Sequence, residues 1–83
     1  MGEGKVDSQL FLEKFVGQFE DLPIESVSLQ TEFRQLPDWS SMQSLVVIAS
    51  FDWEYGATVS AEELKAAKTI DDLYQLVIAN SKD

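Results

Sequence analysis

The 83-residue chain sets fifteen Asp and Glu against six Lys and Arg, a formal charge of −9, and contains neither Cys nor His. Without thiols or imidazoles it has no disulfide staple, thiolate nucleophile, imidazole base or ordinary zinc site, so most enzymatic mechanisms are closed to it and no metal centre is expected. The acid excess repels nucleic acid phosphates and favours partners with basic docking surfaces.

One domain over 1–83 is the expectation, near the lower size limit for a core without covalent help. The apolar share of 45% is that of an ordinary globular protein rather than a disordered one. No apolar run approaches the ~20 residues that cross a bilayer, and the start, Met1-Gly2-Glu3-Gly4-Lys5, lacks a basic region followed by an apolar one. The absence of Cys agrees with a reducing compartment. A cytoplasmic monomer without membrane attachment is expected.

From Asp7 to Glu20, the residues Leu10, Phe11, Leu12, Phe15, Val16 and Phe19 fall largely on one helical face, with Asp7 or Ser8 as N-cap. Gly17 costs this helix about 1 kcal/mol against Ala and suggests close packing of another element. The segment Asp21 to Asp38 holds both prolines and reads as a long connection. Its Leu22, Ile24, Val27, Leu29, Phe33 and Leu36 are too many for a solvated linker, so it is expected to lie across the core.

The stretch Ser40 to Tyr55 is locally ambiguous, since Leu45-Val46-Val47-Ile48 suits a buried strand. Helix is favoured by a capping box of Ser40 with Gln43, by Gly56 at the far end, and by Met42, Leu45, Val46, Ala49 and Trp53 at helical spacing. Ser60 with Glu63 opens a short helix to about Ala67. Thr69 with Asp72 opens the last, Ile70 to about Ala79, whose Ile70, Leu73, Tyr74, Val77 and Ile78 point inward. The expected fold is all-α: a small four-helix bundle, three main helices and a short one, with a long first loop.

Three serines gather in Pro37-Asp38-Trp39-Ser40-Ser41-Met42-Gln43-Ser44-Leu45, where the loop meets a helix N-terminus. This segment resembles the Asp-Ser-Leu attachment motif of acyl carrier proteins, with Ser40-Ser41-Met42 in its place. The resemblance continues through Glu54-Tyr55-Gly56, Ser60-Ala61-Glu62-Glu63-Leu64 and Thr69-Ile70-Asp71-Asp72-Leu73, and covers roughly Phe33 to Val77. The last phrase and the tryptophan before the serines are similar to discrete bacterial carriers.

The resemblance implies that a phosphopantetheinyl transferase moves 4′-phosphopantetheine from coenzyme A onto Ser41, and that the arm's thiol carries an acyl group as a thioester. The chain would then be no enzyme; acyl-loading and acyl-processing partners with basic or apolar docking surfaces would supply the acids and bases, in fatty acid, lipid or polyketide-like synthesis. Ser40 suits a helix cap, and Ser44 lies past the dipole's positive end, which favours Ser41 for a phosphate. This chain departs from the family in having Ser40 for the usual aspartate and Met42 for leucine, with Asp38 a partial substitute for the missing charge. Only Asp52 and Glu54 are acidic on a helix that is often an acidic docking surface, so an apolar patch including Met42 and Val47, bordered by Trp39, is the expected docking site. The cargo is expected in a cleft lined by Val46, Ala49, Ile70 and Tyr74. Two alternatives are an aminoacyl or peptidyl carrier and a degenerate carrier fold acting as an unmodified interaction module.

Overall fold

The computed structural model describes residues 7–19, 22–37 and 39–81. They form four helices and no strand: α1 (Ser8–Val16), α2 (Ser41–Tyr55), α3 (Ala61–Ala66) and α4 (Ile70–Asn80), with a long loop carrying two 3₁₀ turns, Ile24–Ser26 and Phe33–Gln35, between α1 and α2. The chain is the all-α bundle that its periodicity implies. No helix is long and apolar enough to cross a membrane among the described residues.

Asp7 caps α1, its carboxylate accepting from the Leu10 amide at 3.3 Å. The helix stops at Val16 rather than continuing toward Glu20, a residue outside the described ones: Gly17 still bonds the Glu13 carbonyl, but the Gln18 and Phe19 amides turn to carbonyls three residues back, those of Phe15 and Val16. Gly17 therefore marks an end and not a close approach: a Cβ there would meet only carbonyls of its own helix. The buried face of α1 is aromatic. Phe11 sits with its ring centroid 5.7 Å from Phe51, 5.8 Å from Tyr55 and 5.4 Å from Tyr74, so one residue joins α1 to α2 and α4. Burying each such ring contributes about 1.5–3 kcal/mol. The Tyr55 hydroxyl is pushed up to about 12 by burial, with the Glu54 charge adding to the effect.

The long loop lies across the core, as its apolar content requires. Val27 and Phe33 are buried, and Leu22, Ile24, Leu29, Leu36 and Trp39 pack half-buried against them. The stretch from Leu29 to Arg34 also fastens the corner between α3 and α4. Carbonyls of Thr31 and Leu29 accept from the Ile70 and Asp71 amides, at 3.0 and 2.8 Å, two of the first-turn donors that α4 cannot satisfy itself. Arg34 supplies the opposite polarity to the end of α3. Its Nη1 donates to the Ala67 carbonyl at 2.7 Å and its Nη2 to those of Leu64 and Lys65 at 2.8 and 2.7 Å. A cation on the last carbonyls of a helix is favourable both as donor and against the dipole. A capping box at each start, Ser60 with Glu63 and Thr69 with Asp72, completes the corner.

Helix α2 ends as expected, Gly56 taking the left-handed conformation at φ 64° with its N–H on the Asp52 carbonyl. Its inward face is Val47 and Phe51, one turn apart, meeting Phe11, Ile70, Leu73 and Val77 in the core.

Candidate functional site

The three serines at the start of α2 play different roles. Ser40 is the N-cap: its backbone is extended and its Oγ accepts from the Gln43 amide at 3.1 Å. Only half of the expected capping box is present. The Gln43 side chain does not return a bond to Ser40, and its buried Nε2 finds no acceptor among the described residues. Ser44, half-buried one turn on, donates its hydroxyl to the Ser40 carbonyl at 3.3 Å. Ser41 is the first residue of α2, is exposed, and is tied neither to the cap nor to the turn. The serine at the dipole's positive end is thus the one whose hydroxyl is left over. Asp38 lies outside the described residues.

Ser41 borders a cleft of about 210 Å³ between α2 and α3. Ser41, Ser44, Leu45 and Ile48 line it from α2, Ala61, Leu64 and Lys65 from α3, and Arg34 from the loop. Its lining combines apolar residues with two serines and two basic residues, the latter from a chain that has only six. Lys65 is exposed and forms no ion pair among the described residues. These residue types fit a phosphate-linked arm: an exposed serine at a helix start, with basic and apolar residues in the lining of the same cleft.

The outward side of α2 is as apolar as the inward one. Met42 is 70% exposed, Leu45 63%, Val46 44% and Trp53 87%, and Ala49 is exposed between them. At ~100° per residue these positions gather on the side opposite Val47 and Phe51. Scattered exposed apolar residues need no explanation, but a stripe along one helix does.

This phase corrects two expectations. Val47 cannot belong to a docking patch, because at 0% exposure it is core; the patch with Met42 consists instead of Leu45, Val46, Ala49 and Trp53. Val46 and Ala49 do not line a cleft with Ile70 and Tyr74, since they stand on the outer side of α2 while Ile70 is buried and Tyr74 packs half-buried on Phe11. The cleft beside Ser41 lies instead between α2 and α3. Trp39 is half-buried, with its ring edge-on to Phe33 at 4.9 Å and stacked on Phe19 at 6.4 Å. It borders the site by holding the loop that leads into it.

Arg34, Lys65, Ile48 and Leu64 do not stand out in the sequence as site residues. Ile48 and Leu64 carry signals, an apolar run and a helix-opening turn. Arg34 and Lys65 carry none, because only the tertiary fold brings the loop and α3 beside Ser41. No group of acids that could hold a metal ion exists among the described residues. Comparison with protein-family models, curated proteins and solved structures gives no match, so the functional reading rests on the residues themselves.

Proposed function

We propose that the chain is an acyl carrier protein that bears 4′-phosphopantetheine on Ser41 and carries acyl intermediates as thioesters on its thiol. The observation that carries the reading is the division of labour at the start of α2: Ser40 caps, Ser44 bonds back along the helix, and of the three Ser41 is the one with an exposed hydroxyl that has no partner among the described residues, beside a cleft. In the attachment, Ser41 Oγ bonds to the β-phosphorus of coenzyme A, the pyrophosphate P–O bond breaks, 3′,5′-ADP departs, and the hydroxyl proton passes to a base of the transferase. The chain catalyses nothing itself. Its own part is to hold Ser41 outward, to place unpaired amides and the dipole's positive end near the phosphate, and to offer the outer stripe of α2 to loading and processing enzymes of acyl metabolism. Cytoplasmic location and a monomeric state, each transient contact being made in turn, belong to the same reading.

The test is intact-protein mass after incubation with coenzyme A, magnesium and a broad-specificity phosphopantetheinyl transferase. One added arm supports the proposal. A folded protein that gains no mass, with the source's own transferase included, refutes it. A second reading, an unmodified interaction module, is favoured by one observation, the outer stripe of α2 with Trp53 87% exposed, which needs no arm to bind a partner. It predicts partner binding unaffected by Ser41→Ala. An aminoacyl carrier would gain the same arm and differ in the enzyme that loads it.

A further inference from the structure

The cleft beside Ser41 has a feature that cargo alone does not explain. A pocket meant only for an alkyl chain would be lined by apolar groups, yet this one takes Arg34 and Lys65 into its wall in a chain with a charge of −9. Arg34 has a structural role, but it is not used up by it. A guanidinium offers five N–H donors, and three go to the carbonyls of α3 and its end, leaving two. Lys65 stands in the last turn of α3, where a cation suits the dipole, but its ammonium pairs with no carboxylate among the described residues, although acids outnumber bases in this chain by fifteen to six. Both basic residues have long side chains, and both share with Ser41 the lining of one cleft of about 210 Å³.

We propose that Arg34 and Lys65 form a phosphate subsite facing Ser41, which holds the phosphodiester of an arm on that serine at the mouth of the α2–α3 cleft. The inference rests on Ser41 being the attachment residue and adds what the chain does with the phosphate once it is there. Neutralised between Arg34, Lys65 and the first amides of α2, the phosphate no longer adds to the repulsion among the surrounding acids. The arm then leaves the protein from a fixed point beside Leu45 and Leu64 rather than swinging freely about the serine. Because Arg34 also grips α3, seating the phosphate draws α3 and the start of α2 together. Modification is therefore expected to stabilise the fold rather than to burden it with further negative charge.

The test separates the subsite from the transferase reaction. Phosphoserine is placed at position 41 during translation, and the unfolding midpoint in urea is measured for the four combinations of Ser or phosphoserine at 41 with Lys or Gln at 65. The expected result is that phosphoserine shifts the folding equilibrium toward the native state by about 3- to 10-fold when Lys65 is present. Lys65→Gln removes most of that gain, over and above its small effect on the unmodified protein, where it takes a cation from the last turn of α3; Lys65→Arg keeps the gain, and high salt weakens it. Lys68→Gln, which removes an exposed cation outside the cleft, leaves the gain intact. If phosphoserine has the same effect with and without Lys65, or if Lys68→Gln abolishes the gain equally, there is no subsite and the inference fails. The protein carrying the whole arm is then compared by phosphorus NMR, where Lys65→Gln is expected to move the phosphodiester resonance and where an unmoved resonance counts against the inference. Failure of the parent reading looks different: no transferase adds an arm, whatever the phosphoserine cycle gives.

Discussion

The two faces of α2 are built from the same kind of residue and meet opposite fates. Val47 and Phe51 are wholly buried against Phe11 and α4, whereas Met42, Leu45, Val46, Ala49 and Trp53 line the other side and remain in water. A helix that is apolar all round is normally buried all round. Here the second face has nothing over it among the described residues, so its composition adds nothing to the core that α2 shares with α1 and α4. Neighbours such as Val46 and Val47 therefore answer to different environments, water for one and the core for the other, within a single turn of helix.

Substitution on each face breaks or sharpens this contrast. Phe51→Ala is expected to cost about 3–5 kcal/mol in urea unfolding, enough to unfold a domain of this size. Trp53→Ala on the opposite face is expected to change stability by no more than about 0.5 kcal/mol while weakening capture by a loading enzyme. A large loss of stability from Trp53→Ala would erase the distinction. Between these extremes falls Arg34→Met, which strips three donors from the end of α3 and is expected to cost about 1–3 kcal/mol, with faster amide hydrogen exchange in α3 than in α1.

The start of α2 gives a finer version of the same contrast. Ser40→Ala is expected to cost about 1 kcal/mol through loss of the cap, whereas Ser41→Ala changes stability by less than about 0.5 kcal/mol, both read from denaturant midpoints. The smallest expected effect is on pH dependence. Amides of Lys68 and Thr69 donating to Asp72, at 2.9 and 3.1 Å, hold its carboxyl below the usual carboxylate range. A depressed folded-state value means that this contribution is complete above about 3.9, the value in the unfolded chain, and is lost as pH falls through the lower folded value. Asp72→Asn is therefore expected to flatten the fall of stability in that acidic window and to leave the neutral-to-alkaline limb as it was.

Much of the fold is legible in the sequence because the caps are local. Ser60 with Glu63, Thr69 with Asp72, Asp7 before its helix and Gly56 after another are each decided within a few residues, and each stands where its spacing implies. The burial of the long loop also follows from its apolar residues. The phase of α2 does not follow, because both faces satisfy the same periodicity. Period tells which residues share a side, and only the neighbours decide which side is covered. That is why sequence alone puts Val47 at the surface, and Val46 and Ala49 in a cleft. Ser41 is legible from its place beside a capping serine. Arg34 and Lys65 are not, since the distance along the chain from each to Ser41 says nothing about a cleft formed when the loop and α3 close beside α2.

The central claim, that Ser41 is the serine set aside for chemistry, is tested most directly by mapping where a phosphopantetheine arm attaches. Ser40→Ala, Ser41→Ala and Ser44→Ala proteins, each shown to be folded by circular dichroism, are exposed to coenzyme A and transferase alongside the parent chain, and their intact masses and fragment ions are compared. The account predicts one arm on the parent, on Ser40→Ala and on Ser44→Ala, localised to Ser41, and none on Ser41→Ala. An arm on Ser44, or an arm that persists in Ser41→Ala, would contradict it.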